Sequence, residues 1–211
     1  MRLAPEKRDL IGRAILTFYF TVCATLQIMN LRSFDGSWLH LAATIATLGF
    51  LLLVVGTTLG RLPPVRSAQG LSRQIVALVG AFATVTLVVV PPVEIPAGVR
   101  IVADSLVLIG FLLSVWCLWW LGRSFSVMAQ ARRLVTQGPY RYVRHPLYVC
   151  ETVALVGILL RNPSAWSFTI AAVALVFQYL RILNEEKVLR DAFPEYEEYA
   201  RSTPMLMPAF R

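Results

Sequence analysis

The 211-residue sequence has few of the residues from which disulfides and metal sites are built. It contains three cysteines and two histidines, and Cys23, Cys117 and Cys150 lie far apart along the chain. A disulfide framework is therefore not expected, nor is a zinc site of cysteine and histidine ligands. We expect the three cysteines to be small buried apolar residues.

Charge is also scarce: charged residues make up 15% of the chain, whereas 57% of the residues are hydrophobic. Soluble proteins on average carry more charge and a smaller apolar share. The apolar residues form long runs, and a transmembrane helix needs about 20 of them. The sequence therefore predicts an all-α, multi-pass integral membrane protein with about five to six transmembrane helices. The predicted apolar runs are 10–29, 38–59, 71–90, 99–121, 147–160 and 165–180.

The last two runs are predicted to form a helical hairpin. The fifth run, 147–160, is short for a full crossing, and residues 162–164 combine Asn, Pro and Ser, which favour turns. The sixth helix is predicted to continue beyond the membrane to about Ala192, where Phe193 and Pro194 end it.

The chain has a net charge of +8, and its basic residues are distributed unevenly among the links between the apolar runs. Basic residues cluster before the first run, between the second and third, and after the fourth, whereas the alternate links hold few. This positive-inside pattern predicts that the N-terminus, the link near residue 60 and the segment 122–146 are cytoplasmic. The charge therefore indicates topology and contact with anionic membrane lipids rather than nucleic acid. The basic residues concerned are Arg2, Lys7, Arg8, Arg13, Arg61, Arg66, Arg73, Arg123, Arg132, Arg133, Arg141 and Arg144.

Acidic residues are rare in the first four runs. Asp104 lies near the outer end of the fourth run, and Glu94 lies in the outer link before it. We expect both to be ordinary interfacial charges that water or lipid headgroups solvate.

The densest polar segment of the chain is GPYRYVRHPLY, residues 138–148, which lies between two apolar runs. A second polar cluster follows the sixth run, where Arg181 and Glu185 are four residues apart and so share one helix face. Because the hairpin returns the chain to the level at which it began, we expect both clusters to surround one cavity. The residues expected there are Tyr140, His145, Tyr148, Arg181 and Glu185.

The chemistry of these residues indicates the kind of ligand that such a cavity would bind. Aromatic rings beside acids suit a cationic ligand, and arginine binds carboxylates through paired hydrogen bonds. The cluster therefore predicts a zwitterionic or mixed-charge cofactor near the cytoplasmic leaflet. Residue chemistry alone leaves the identity of that cofactor open.

Several motifs together resemble the isoprenylcysteine carboxyl methyltransferase family. They are LVTQGPYRYVRHPLY at 134–148, Asn162-Pro163, RILNEEKVL at 181–189 and the tail FPEYEEYARSTPMLMP at 193–208. The resemblance covers roughly residues 120–208. The RHPxY element alone is less specific, because it also occurs in bacterial phospholipid methyltransferase-like proteins and in membrane sterol reductases.

The resemblance implies a pocket for S-adenosylmethionine on the cytoplasmic side, with Glu185 as the acid that binds it. Arg181 matches the basic residue that faces the methyl acceptor, and it is the implied catalytic and substrate-binding residue. No metal is implied. The other implied cofactor-binding residues are Gln130, Arg132, Arg133, Leu134, Val135, Tyr140, His145, Pro146, Leu147 and Tyr148.

The implied reaction is methyl transfer to a lipophilic acceptor, such as the carboxylate of an isoprenylcysteine-like substrate. Two departures from the family pattern bear on this. Cys150 stands where the family usually has glycine, and we expect its thiol to reshape the pocket. The segment 124–129 lacks the Asn-His pair of the prenylcysteine enzymes, which counts against a prenylated cysteine as acceptor.

Two other functions share parts of the pattern. One is a nicotinamide-dependent membrane reductase of the sterol reductase type, and the other is a non-enzymatic membrane lipid-binding scaffold. The Arg181 and Glu185 pattern favours the transferase. We therefore divide the chain into a four-helix transmembrane region, 1–121, and a cofactor-binding catalytic region, 122–211, which ends in a cytoplasmic helix.

Overall fold

A computed structural model of the chain describes residues 5–31, 36–67, 71–88, 93–127 and 130–207. Of the predicted features, Arg2, residues 89–90 of the third run, residues 128–129 and Pro208 lie outside these ranges. Within them the chain forms seven α-helices, which are α1 Pro5–Asn30, α2 Trp38–Leu59, α3 Leu71–Val88, α4 Ala97–Leu121, α5 Pro146–Arg161, α6 Ala165–Ala192 and α7 Tyr196–Ser202.

The first six helices coincide with the predicted apolar runs, and the chain is an all-α integral membrane protein. Four helices of the described part, α1, α2, α4 and α6, are long and apolar enough to cross a membrane. α3 has 18 residues and α5 has 16. A 16-residue helix is only about 24 Å long, which is less than the roughly 30 Å of a hydrocarbon core. The predicted five to six spans are therefore approximate.

Two basic links meet at one end of the bundle. A short antiparallel pair joins β1, Arg66–Ser67, to β2, Gln130–Ala131. Beside it, Leu62 N donates to the carbonyl oxygen of Arg123 at 3.0 Å, and Arg123 Nε donates to the carbonyl oxygen of Gly60 at 2.7 Å. The links after α2 and α4 thus share one side, as the positive-inside pattern requires. That this side is cytoplasmic stays a prediction.

α4 and α5 pack together more closely than ordinary side chains would allow. A Cβ atom on Gly110 of α4 would lie 2.5 Å from Ala154 N, and one on Gly157 of α5 would lie 2.6 Å from the carbonyl oxygen of Ala103. Small residues at such positions let helix backbones approach, which drives association where the hydrophobic effect between helices is weak. The glycines therefore fix how α5 lies on α4.

The arms of the predicted hairpin pack on different partners. A turn at residues 162–164 joins α5 to α6, and Ser164 Oγ caps α6 by accepting a hydrogen bond from Ser167 N at 3.1 Å. α5 packs mainly against α4, whereas α6 packs mainly against α3. The proposed division at residue 121 therefore separates two segments of the sequence, and helices of both segments pack in the same bundle.

Asp104 is not the solvated interfacial charge that we expected. It is only 2% exposed, and Arg161 Nη1 at the end of α5 donates to its carboxylate at 3.3 Å. His40 of α2 completes the group, with its Nδ1 lying 3.6 Å from Asp104 and 3.2 Å from Arg161 Nη2. The expectation was wrong because the charge that compensates Asp104 comes from Arg161, which is distant in sequence but lies on the adjacent helix α5, rather than from water.

We predict that Gly157→Ala lowers the thermal unfolding midpoint of the detergent-solubilised protein, because the new methyl group meets the backbone of α4. Overpacking of this kind costs about 1–3 kcal/mol, which corresponds to several degrees in a chain of this size. Gly56→Ala in α2 is the matched control, since a Cβ atom there meets nothing within 4 Å. Alanine should leave that helix unchanged or more stable. Equal midpoints for the two variants would contradict the assigned packing.

Candidate active site

Gly138 sets the path of the backbone at the start of the polar motif, after β2 and the link that follows it. Its φ is 62°, and a Cβ atom there would lie 2.4 Å from the indole of Trp120, so no other residue fits without rearrangement. A 3-10 turn, Gly138–Arg141, follows, and α5 then begins at Pro146, a residue well suited to the first helical position. This path buries Tyr140 and His145 against the bundle.

One cavity lies between this motif, the link after α4 and the end of α6. Its empty space, including the part open to solvent at its mouth, is about 790 Å³. Of the twelve predicted site residues, only Pro146 does not line it. The lining includes Gln130, Arg132, Arg133, Leu134, Val135, Tyr140, His145, Leu147, Tyr148, Arg181 and Glu185. Their roles toward a cofactor stay predictions.

Several lining residues were not assigned from the sequence. Two of them, Tyr196 and Tyr199, lie on α7, where their spacing of three residues places both rings on one helix face. This spacing is the feature of the sequence from which the two tyrosines could have been assigned to the site. The other unassigned lining residues are Leu121, Ser124, Phe125, Ser126, Arg144, Val188 and Leu189.

Glu185 lies at the centre of the polar wall of this cavity. The hydroxyl of Tyr148 donates to its Oε1 at 2.5 Å, and Arg181 Nη2 lies 3.8 Å from the same oxygen. His145 Nδ1 lies 3.9 Å from Oε2. The guanidinium of Arg181 also lies over the ring of Tyr148, 5.1 Å from its centroid. The two sequence clusters therefore meet, and Tyr148 is the closest link between them.

Among the buried polar atoms of lining residues that have no hydrogen-bond partner in the described part of the chain are the hydroxyl of Tyr140 and Nε of Arg181. Burial raises the pKa of Tyr140 well above its ordinary value, so the hydroxyl stays protonated and is able to donate. An unsatisfied buried donor costs about 1–3 kcal/mol. Such groups in a cavity wall are expected where a ligand supplies the acceptor.

Glu186, the neighbour of Glu185, has a different set of partners. Its carboxylate accepts from Arg144 Nη1 at 2.9 Å and from the hydroxyl of Tyr196 at 2.7 Å, and His145 Nε2 lies 2.9 Å from it. Burial and the bond to Glu186 raise the pKa of Tyr196, so its hydroxyl remains a donor. One buried carboxylate thus joins α6, the motif before α5 and α7.

The segment after α6 also bonds the motif through its backbone. Arg144 N donates to the carbonyl oxygen of Pro204 at 2.9 Å, and His145 N donates to that of Met205 at 3.2 Å. The hydroxyl of Tyr199 donates to the carbonyl oxygen of Tyr140 at 2.5 Å. The C-terminal segment therefore closes one side of the cavity and holds the motif in place.

Cys150, at the family's usual glycine position, is not among the residues that line the cavity. All three cysteines are buried, as predicted. The Sγ of Cys150 lies 3.9 Å from that of Cys117 on α4. The thiol that replaces the family's usual glycine is therefore accommodated between α4 and α5.

Comparison with known proteins relates this site to a family. Residues 99–196 match the family described as phospholipid methyltransferase. The matched residues include nearly all of α4, and α5, α6 and the links between them, so they supply both polar clusters of the cavity.

Three curated relatives match part of this chain. The nickel-cobalt-cadmium resistance protein NccN of Alcaligenes xylosoxydans xylosoxydans is 38% identical over 44% of this chain. Protein-S-isoprenylcysteine O-methyltransferase B of Arabidopsis thaliana is 35% identical over 49% of it, and phosphatidylethanolamine N-methyltransferase B of Dictyostelium discoideum is 34% identical over 33%. The predicted resemblance to the isoprenylcysteine enzymes is thereby confirmed.

These matches span 42%, 56% and 37% of the relatives' own lengths, which is about half or less. The name of the first relative refers to nickel, cobalt and cadmium. In the described part of this chain, no group of three or more His, Cys, Asp or Glu side chains is placed to hold a metal ion.

We predict that Glu186→Gln loosens the C-terminal segment, because the neutral amide cannot accept the same charged hydrogen bonds. Breaking a buried charged network costs about 3–5 kcal/mol, so the thermal midpoint should fall and protease should cleave after α6 more readily. Glu185→Gln is the matched control, and it should change both measurements little because Glu185 holds no C-terminal residue. Equal destabilisation by the two variants would contradict this assignment.

Proposed function

We propose that this protein is an integral membrane methyltransferase that transfers the methyl group of S-adenosylmethionine to a lipophilic acceptor. The observation that carries the proposal is the single cavity in which the acid Glu185, the aromatic residues Tyr140 and Tyr148, and the base Arg181 lie together. The match of residues 99–196 to the phospholipid methyltransferase family supports it.

The residues of the cavity fit S-adenosylmethionine, which carries a sulfonium, an amino-acid zwitterion and an adenine ring. Glu185 offers a carboxylate to its positive groups, and the tyrosine rings suit both cations and aromatic bases. The unpartnered hydroxyl of Tyr140 and Nε of Arg181 offer donors for its acceptor atoms. The cavity therefore offers both an acid and hydrogen-bond donors, as a mixed-charge ligand requires.

The residues of this chain have distinct roles in the proposed reaction. When bound, S-adenosylmethionine supplies a methyl group that its sulfonium already activates, so the protein mainly contributes proximity and alignment. Tyr148 holds the carboxylate of Glu185 in a fixed position through its 2.5 Å hydrogen bond. Arg181, buried at the inner wall of the cavity, orients the polar head of the acceptor.

The lipophilic nature of the acceptor is supported by the relatives and by the membrane location. Two relatives are named for isoprenylcysteine and phosphatidylethanolamine, which both carry long apolar chains. An acceptor of this kind enters from the bilayer between helices, whereas the cofactor enters from water through the mouth of the cavity.

We predict that the purified protein binds S-adenosylmethionine and S-adenosylhomocysteine, and that it does not bind reduced nicotinamide dinucleotides. Glu185→Ala should weaken S-adenosylhomocysteine binding about 10- to 100-fold, as expected when one charge-assisted hydrogen bond is lost. Arg181→Ala should change that affinity little and should abolish most methyl transfer. Isothermal titration and a radiolabelled methyl assay on native membranes measure the two effects.

Glu195→Ala is the control for the loss of a carboxylate, because Glu195 is exposed between α6 and α7. Equal loss of cofactor affinity in the Glu185 and Arg181 variants would overturn the assigned roles. Binding of the nicotinamide in place of S-adenosylhomocysteine would overturn the proposed function itself. Fractionation of the labelled membranes identifies the acceptor as lipid or protein.

A further inference from the structure

The segment between α4 and the polar motif forms one wall of the cavity of the candidate active site. Ser126, Gln130 and Arg132 of this segment line the cavity. The sequence of residues 122–137 contains three arginines and no aspartate or glutamate. This wall therefore offers positive charge and hydrogen-bond donors to a ligand, and its own residues supply no acid.

The orientation of the Gln130 amide group follows from its two neighbours. Arg132 Nη2 lies 2.5 Å from Gln130 Oε1, and Ser126 Oγ lies 3.0 Å from the same atom. An arginine side chain carries only donors, so the atom of Gln130 that faces Arg132 is the amide oxygen. The hydroxyl of Ser126 then also donates, because the atom that it contacts is an acceptor. Two donors thus hold the amide in one of its two possible orientations.

The nitrogen of the same amide group is left available to a ligand. Both hydrogen bonds of the Gln130 side chain go to Oε1, and Nε2 forms none within the described part of the chain. The side chain is partly exposed and lines the cavity. Because an amide nitrogen only donates, a ligand atom that bonds to it has to be an acceptor.

An acid lies close to this wall of donors. The strand β2 packs on α6 through Ala131 and Val188, which are both buried. Val188 follows Glu185 by three residues on α6, and Glu185 lines the cavity. The donors and the acid therefore lie near the same turn of α6. An amino-acid group carries its ammonium and its carboxylate on one carbon atom, so it suits an acid and a donor that lie side by side.

We propose that Gln130 donates to the carboxylate of the cofactor's amino-acid group, and that Ser126 is a positioning residue that holds the amide in its donor orientation. This rests on the proposed function and assigns one end of the S-adenosylmethionine in its cavity. The positive charge of Arg132 stabilises the same carboxylate, since hydrogen bonds to an ionised acceptor are strong. The ammonium then lies toward Glu185, and the adenosine part makes none of these contacts.

The test compares three ligands that share the adenosine part, namely S-adenosylhomocysteine, its decarboxylated analogue and 5′-methylthioadenosine. The second lacks only the carboxylate, and the third lacks the whole amino-acid group. Each is titrated by isothermal calorimetry into the detergent-solubilised full chain near neutral pH. We expect S-adenosylhomocysteine to bind about tenfold or more tightly than its decarboxylated analogue, because the analogue cannot accept the hydrogen bond of Gln130.

Gln130→Glu separates a contact with the ligand from a purely structural role. The new carboxylate accepts the same hydrogen bonds from Ser126 and Arg132, so the thermal unfolding midpoint should not fall. It cannot donate, and it repels the carboxylate of the ligand. Binding of S-adenosylhomocysteine should therefore weaken about tenfold or more, whereas binding of 5′-methylthioadenosine should stay unchanged.

Ser126→Ala removes one of the two donors that hold the amide. We expect it to weaken binding of S-adenosylhomocysteine about three- to tenfold and to leave binding of 5′-methylthioadenosine unchanged. Ser126→Thr keeps the hydroxyl and should restore the wild-type affinity. Ser202→Ala is the matched control, because Ser202 is exposed at the end of α7 and does not line the cavity. If Gln130→Glu does not fold, the wild-type ranking and the Ser126 variants decide the matter.

The outcomes separate this inference from the proposed function. Three results would refute the carboxylate assignment and leave the methyltransferase proposal standing: equal wild-type affinity for S-adenosylhomocysteine and its decarboxylated analogue, unchanged binding of S-adenosylhomocysteine by Gln130→Glu, or an equal loss there for 5′-methylthioadenosine. A loss in Ser126→Ala that Ser126→Thr does not restore would refute the positioning role. If the wild-type protein binds none of the three ligands, the proposed function itself fails.

Discussion

The candidate site depends on one buried carboxylate, that of Glu186. It accepts hydrogen bonds from Arg144 and Tyr196 and contacts His145, so it joins a membrane helix, a connecting motif and a C-terminal helix. A buried carboxylate is tolerable only when such donors compensate it. These donors lie on two different segments, the motif before α5 and the helix α7. Their bonds to Glu186 therefore hold these walls of the cavity at fixed positions relative to α6.

The preceding residue, Glu185, has far fewer donors around it. Glu186 is surrounded by donors, whereas Glu185 has one short bond from Tyr148 and more distant contacts with Arg181 and His145. A carboxylate with spare acceptor capacity at a cavity wall is suited to binding, and one that is fully satisfied is suited to support. The two neighbouring acids thus differ in how much of their negative charge the protein itself compensates.

The helices were predictable because apolar runs near 20 residues long form few structures other than membrane helices. α2, for example, occupies its predicted run, 38–59. The meeting of the two polar clusters followed from the hairpin. The different partners of Glu185 and Glu186 were not predictable, because neighbours on a helix differ by about 100° and the packing that decides lies elsewhere. The burial of Asp104 depends on Arg161, a residue 57 positions away. The partial burial of Glu151 could have been anticipated from the sequence, because this acid lies within an apolar run.

The backbone bonds between the motif and the C-terminal segment have a consequence for biosynthesis. His145 N bonds the carbonyl oxygen of Met205, which the ribosome adds sixty residues later. The motif is therefore synthesised before the C-terminal segment that holds it in place. Closure of this wall of the cavity is therefore a late event in the maturation of this protein, after the helices on which it rests have been synthesised.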